Sequence, residues 1–143
     1  MILDHFVRDE SDLLSIYHGP SDRPDDTRKM RVLGRIAFQH RSEFPVVRDG
    51  APLVALHMVP TAADAFLETW STPCAVSTGA EEGLVYACDG EYLFCAARIG
   101  PQGVYRDAVR ETYRRAIELA HRLGYPEIFW MWNMVGGITA LRA

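Results

Sequence analysis

The sequence is short of basic charge: 15 lysines and arginines against 19 aspartates and glutamates leave a formal net charge of -4. No basic field is present to neutralise a phosphate backbone, which sets nucleic-acid binding aside. Long apolar runs are lacking as well. None approaches the roughly 18 residues a membrane-spanning helix needs, so no membrane partner is expected. The start, Met1 to Phe6, has neither the basic region nor the apolar core of a secretory signal, and a cytoplasmic location is the expectation. Cysteines number three, Cys74, Cys88 and Cys95, with no C-x-x-C pair, which favours reduced thiols over a disulfide framework or a zinc site. The histidines, His5, His18, His40, His57 and His121, show no H-E-x-x-H or other ligand spacing, and neither a metal nor another cofactor is expected. No Ser-His-Asp order, Gly-rich phosphate loop or paired-carboxylate motif stands out.

What is present fits one folded domain. The chain has 143 residues, 48% hydrophobic and 24% charged, enough to bury a core and far from a disordered composition. Residues 18–30 hold one Gly, two Pro and dense charge, so 1–30 reads as a short N-terminal segment with a mobile loop, and 31–143 as a single α+β domain. Val32 to Gln39 and Leu53 to Val59 read as strands, separated by a polar loop with Pro45 and Asp49-Gly50. Thr61 can cap a helix to about Trp70, with Ala63, Phe66, Leu67 and Trp70 at helical spacing. A strand is expected near Cys74 to Ser77.

Asp89-Gly90 is a two-residue turn signal inside a hairpin from Gly83 to Ile99. A turn centred there sets Cys88 opposite Glu91, Tyr86 opposite Leu93 and Leu84 opposite Cys95. One hairpin face then carries Val85, Ala87, Tyr92, Phe94 and Ala96, the other Leu84, Tyr86, Leu93, Cys95 and Ile99. A helix is expected over Val104 to Leu123, its stripe formed by Tyr105, Val109, Thr112, Tyr113, Ala116, Ile117, Ala120 and Leu123. Glu111 and Glu118 can pair with Arg115 and Arg122 at four-residue spacing on a solvated face. Gly124 ends that helix and Pro126 prevents its continuation. A final strand spans about Glu127 to Met134. This order predicts a mainly antiparallel sheet with two helices on one face; the other face is also apolar, so packing against another subunit or domain is expected.

Phe66-Leu67-Glu68-Thr69-Trp70 with Pro73, the hairpin stretch Tyr86 to Phe94, and Leu123-Gly124-Tyr125-Pro126 leading to Trp132-Asn133 resemble the N-terminal half of the chorismatases. Those enzymes cleave or rearrange chorismate into hydroxybenzoate or dihydroxycyclohexadiene products of secondary metabolism. The resemblance covers about residues 31 to 138. It implies a fold like the trimeric imine deaminases and chorismate mutases, with ligand clefts between adjacent units, and hence a homotrimer. In that family the second half supplies much of the catalytic machinery. Three readings follow: a small homotrimeric enzyme of lyase or hydrolase type acting on a chorismate-derived or related cyclic carboxylate, a binding module whose separate partner chain is catalytic, or an imine or enamine hydrolase.

A dianion such as chorismate needs an arginine fork. Arg98, closing an apolar strand, is the first substrate-binding candidate; alternatively it pairs with Glu81 across the hairpin. Arg35 interrupts a strand in the same way, as a ligand or as an edge charge. His57 is a candidate general base or a satisfied core histidine. Asn133 can orient a ligand carbonyl or serve structure, and alternation puts it on the opposite face from Trp132. Trp132 and Tyr92 are candidate ligand contacts, with Trp130 and Trp132 equally suited to a subunit interface. Cys95 has no basic neighbour and reads as an inert buried thiol.

Overall fold

The computed structural model describes residues 2–4, 14–18, 30–58, 64–100 and 105–135. Ten strands and one helix lie among them: β1 (Ile2–Asp4), β2 (Leu14–His18), β3 (Arg31–Gln39), β4 (Glu43–Arg48), β5 (Ala51–His57), β6 (Phe66–Thr72), β7 (Ser77–Glu81), β8 (Leu84–Cys88), β9 (Tyr92–Ala97), α1 (Tyr105–Leu123) and β10 (Ile128–Trp130). They form two five-stranded sheets, β10-β1-β9-β8-β7 and β2-β6-β3-β5-β4. All neighbours run antiparallel except β3 and β5.

Two tight turns account for much of this. Asp49 and Gly50 both have positive φ, 51° and 73°, and join β4 to β5; Glu82 and Gly83, at 47° and 81°, join β7 to β8. Positive φ at both central residues matches the twist of the flanking strands. The Asp49-Gly50 stretch therefore closes a hairpin, and the segment expected to be a polar loop contains β4.

The helix packs on one face of the first sheet. Ala116, Leu119 and Ala120 meet Leu84, Leu93 and Cys95 there, with Tyr125 buried among them. Leu119 is 1% exposed, whereas Tyr105, Val109 and Ile117 of the expected stripe are exposed. Among the described residues the helix begins at Tyr105; Val104 lies outside them. It ends in paired reversals: the Gly124 N–H donates to the His121 carbonyl at 3.1 Å and the Tyr125 N–H to Ala120 at 2.8 Å. Gly124 has φ 90°, and the Tyr125 ring packs back on Ala120, the usual accompaniment of this cap.

The other face of the first sheet is covered within the same chain. Ala87 and Phe94 pack against Leu33, Ile36 and Trp70 of the second sheet, with Val54, Leu56 and Tyr92 around them. The layers are thus helix, sheet, sheet. The expectation that another subunit or domain must cover this face is corrected: the second sheet covers it. Contact is close, because a Cβ added at Gly34 would lie 2.5 Å from the Phe94 ring.

Other expectations shift for identifiable reasons. Phe66 to Trp70, expected to be helical, forms strand β6 between β2 and β3. Phe66 stacks on Phe38 with ring centroids 4.6 Å apart, and Glu68, Trp70 and Thr72 alternate inward at 2%, 8% and 1% exposure. Ladder pairing on both sides and aromatic and β-branched side chains outweigh a short run of helical spacing. Thr61 and Ala63 lie outside the described residues, so the described residues contain one helix where two were expected. Strand pairing also begins before Arg31, since β1 sits inside the first sheet and β2 edges the second; most of the 18–30 loop lies outside the described residues. The strand expected near Cys74 lies slightly later, as β7.

The hairpin register differs by two residues from expectation. Cys88 pairs with Leu93, Tyr86 with Cys95 and Leu84 with Ala97, so the turn centres on Gly90-Glu91. Asp89 sits one place earlier, where its Oδ1 accepts the N–H groups of Glu91 at 2.9 Å and Tyr92 at 2.7 Å. An aspartate at the first turn position does this better than it fills the centre. A shift of two preserves which face each side chain takes.

Candidate functional site

The clearest concavity in the described residues lies where the start of α1 crosses the open end of the β8–β9 hairpin. Its volume is about 280 Å³, and Leu84, Ala97, Arg98, Ala108, Glu111 and Arg115 contribute to its walls. Leu84 pairs with Ala97, so Arg98, one residue beyond the strand, stands level with the Glu82-Gly83 turn. On the far side of that turn a second hollow of about 330 Å³ is bordered by Phe44, Pro45 and Val85.

Arg98 connects the two. Its guanidinium carbon lies 5.0 Å from the centroid of the Phe44 ring, which is 65% exposed. A cation over an aromatic face is attracted by the ring quadrupole, by about 0.5–1 kcal/mol at exposed sites. Among the described residues Arg98 makes no hydrogen bond and no ion pair. The expected pairing with Glu81 does not form. The two-residue register shift removes their opposition, and Glu81 instead pairs with Arg122 of α1.

The α1 side of the pocket is a charged lattice. The Arg115 Nε donates to Glu111 Oε1 at 2.8 Å, and its Nη1 donates to the Glu82 backbone carbonyl at 3.0 Å. Arg114 grips the same Glu111 from the other side at 2.6 and 2.9 Å and also reaches Glu118. Hydrogen bonds from Arg114 first and Arg115 second hold the Glu111 carboxyl down at about 2. Of the expected helix pairs, Glu111 with Arg115 forms; Glu118 takes Arg114, and Arg122 leaves α1 for Glu81.

The remaining sequence candidates lie elsewhere. His57 and Arg35 sit on the outer face of the second sheet, since their register partners alternate with the inward Ile36, Phe38, Val54 and Leu56. Arg35 is on an interior strand rather than an edge, and its Nη1 donates to the Arg48 carbonyl at 3.4 Å. His57 is exposed, and its backbone N–H donates to Ser42 Oγ at 2.9 Å. Tyr92 and Trp132 border the sandwich core, Trp132 meeting Trp70 edge-on with centroids 5.7 Å apart. Asn133 Oδ1 accepts the Tyr113 hydroxyl and so ties the chain after β10 to the helix. β10 stops at Trp130, so Trp132 and Asn133 follow the strand rather than belong to it. Arg98 alone of the six candidates lines the pocket.

Three features were missed. Arg115, read as a solvated helix charge, is indeed partly exposed and pairs with Glu111 as expected, but it also lines the pocket. Glu68, 2% exposed, accepts the Trp70 indole N–H at 2.9 Å inside the core; an acid within an aromatic strand was the available signal. Tyr125 accepts the Gly90 N–H at 2.9 Å, so the helix cap pins the hairpin tip. Burial pushes the Tyr125 phenol up to about 12 and the Cys95 thiol up to about 11, which keeps both protonated near neutrality. All three cysteines are free thiols. Among the described residues no group of three or more His, Cys, Asp or Glu could hold a metal, and no helix is long and apolar enough to cross a membrane.

Mostly antiparallel sheets, backed among the described residues by one helix, define an α+β domain, and at the pocket between that helix and the β8–β9 hairpin stands an arginine with no ion pair among the described residues. Residues 68–143, slightly over half the chain, match the family model described as "Chorismatase FkbO/Hyg5-like, N-terminal". The chain belongs to this chorismatase family through its N-terminal domain. A 3-hydroxybenzoate synthase of Streptomyces hygroscopicus is 38% identical over 108 residues, 76% of this chain and 32% of that protein. A chorismatase of the same organism is 37% identical over 120 residues, 84% of this chain and 35% of that protein. A chorismatase crystal structure superposes with a TM-score of 0.70 at 28% identity, covering 80% of this chain and 34% of that one. The chain therefore spans about a third of the length of the relatives it matches.

Proposed function

We propose that the protein binds a chorismate-derived or related cyclic carboxylate, that Arg98 at the pocket between α1 and the β8–β9 hairpin is the carboxylate anchor, and that the working form is a homotrimer in which a neighbouring subunit completes that pocket as an intersubunit cleft. The observation that carries this is the state of Arg98. It is a guanidinium without an ion pair among the described residues, poised on an exposed Phe44 at the mouth of a pocket large enough for a single-ring acid. A carboxylate would give it a charge-assisted, two-pronged hydrogen bond of the kind arginine makes best. The trimer is supported by the family relationship and by exposed apolar side chains around the C-terminal strand, Ile128, Trp130, Met134 and Val135.

A second reading, binding here with turnover in a separate partner chain, is favoured by the pocket's chemistry. Its acids, Glu82 and Glu111, are each engaged by arginine, and its Thr112 hydroxyl donates to the Ala108 carbonyl at 2.8 Å. No lining group is placed as a free base or nucleophile. One experiment separates the readings: incubate the purified protein with chorismate, then follow binding by calorimetry and product formation by chromatography. Binding with turnover supports the enzyme, binding without turnover supports the module, and absence of both refutes the carboxylate site. An Arg98→Ala protein unchanged in activity on amino-acid-derived imines would remove the anchor role in the imine-hydrolase version.

A further inference from the structure

The outward side of α1 carries an apolar row that the fold does not bury. Tyr105, Val109, Tyr113 and Ile117 are four residues apart, so their side chains line up along the helix. Tyr105, Val109 and Ile117 are 55%, 38% and 40% exposed, while the core takes Ala116, Leu119 and Ala120 from the neighbouring face. Tyr113 is half-buried and donates its hydroxyl to Asn133, which fixes the middle of the row. Single exposed apolar side chains are ordinary, but a continuous row on a regular helix is a surface that another element can cover. None of the four lines either hollow beside Arg98.

The next row round the helix is basic: Arg106, Arg110 and Arg114. Arg114 is held by Glu111 and Glu118, and on the far flank Arg115 and Arg122 are held by Glu111 and Glu81. Arg106 and Arg110 have no ion pair among the described residues, and their neighbours at three-residue spacing are Val109 and Tyr113 of the apolar row. The chain thus neutralises the arginines that lie away from this stretch and leaves bare the two that border it. A ridge of side chains four apart fits the groove between the same rows of a second helix. Two bare guanidiniums on its rim are answered by acids on that helix.

We propose that this face of α1 is a docking surface for an amphipathic helix of a partner protein, one with an apolar stripe and acidic flanks. A second copy of α1 does not fit the charge, because its own rim brings Arg106, Arg110 and Arg114 and no free acid. An anionic bilayer fits poorly with a protein of net charge -4. This surface is independent of the carboxylate reading of Arg98, so either can fail alone.

The test uses the whole chain and two fluorescein-labelled synthetic helices that share a leucine stripe, one flanked by glutamates and the other by lysines, with binding read by fluorescence anisotropy. The glutamate helix is expected to bind about tenfold or more tighter than the lysine helix, and to weaken as salt rises. Ile117→Glu should weaken it about tenfold or more by placing a charge in the path of the stripe. Arg106→Glu combined with Arg110→Glu should reverse the preference between the two helices. All three side chains are on the surface, and circular dichroism and the melting temperature check that the fold is kept; if Ile117→Glu lowers the melting temperature, the charge reversal alone decides. Equal binding of the two helices, binding of neither, or a preference that the charge reversal leaves unchanged overturns the proposal. So does an oligomer of the protein alone that Ile117→Glu disperses in the ultracentrifuge, which assigns the face to a second copy. Vesicles of phosphatidylglycerol and phosphatidylcholine that displace the glutamate helix would overturn it as well, in favour of a bilayer.

Discussion

Gly34→Ala tests the layering of the fold. The new Cβ would lie 2.5 Å from Cγ and Cδ2 and 2.6 Å from Cδ1 of Phe94, a ring only 1% exposed. Carbon atoms in good contact sit about 3.5–4 Å apart, so the ring or the facing strand must move by about 1 Å. Overpacking of this kind costs about 1–3 kcal/mol. For a chain of this size that lowers the melting temperature by roughly 3–10 °C. Shrinking the ring should relieve the clash. In a Phe94→Leu background the same Gly34→Ala change should lose most of its penalty, giving a coupling of about 1–3 kcal/mol in a double-mutant cycle. Urea melts followed by the fluorescence of the three tryptophans measure it. A neutral Gly34→Ala, or a penalty undiminished by Phe94→Leu, refutes the claim that the second sheet covers this face. A coupling that varies with protein concentration would place the contact between subunits instead.

Removing the Tyr125 hydroxyl with Tyr125→Phe leaves the Gly90 N–H without its acceptor and should destabilise the chain by about 1 kcal/mol, with faster amide exchange at the hairpin tip. Thiol titration at pH 8 should find Cys74 reactive in the folded protein and Cys95 reactive only after unfolding, because burial holds the Cys95 thiol up near 11; prompt reaction of Cys95 contradicts that burial. Glu111, held near 2 by Arg114 and Arg115, is depressed below its ordinary value of 4.5. Its contribution to stability is therefore fully present above about 4.5 and is lost as pH falls from there through 2. Arg114→Gln should move the Glu111 titration, read by carboxyl NMR shifts, back up toward the ordinary range. An unmoved midpoint means the fork is not formed in solution.

The sequence was readable where one local signal dominated. The α1 helix, its glycine cap, the β8–β9 hairpin faces and the family resemblance all follow from short stretches whose periodicity or turn chemistry had no rival. It misled where long-range pairing decided. Phe66 to Trp70 satisfied helical spacing, but its place between β2 and β3 is fixed by residues far away in sequence. β1 and β2 are short strands whose existence depends on the neighbours that receive them. The apolar second face of the hairpin was correctly read as needing cover; what supplied the cover was β3 to β6, whose own sheet could not be assembled from alternation alone. At the pocket, the position of Arg98 at the end of an apolar strand was legible. The place of Arg115 on the pocket wall was not, because it depends on how α1 crosses the hairpin, and helix periodicity does not encode that crossing.

The most direct measurement is a crystal structure of the protein grown with 3-hydroxybenzoate. The ligand carboxylate is expected in a two-pronged contact with Arg98, in the pocket between α1 and the end of the β8–β9 hairpin. A carboxylate bound elsewhere, with Arg98 paired to a protein acid, would contradict it.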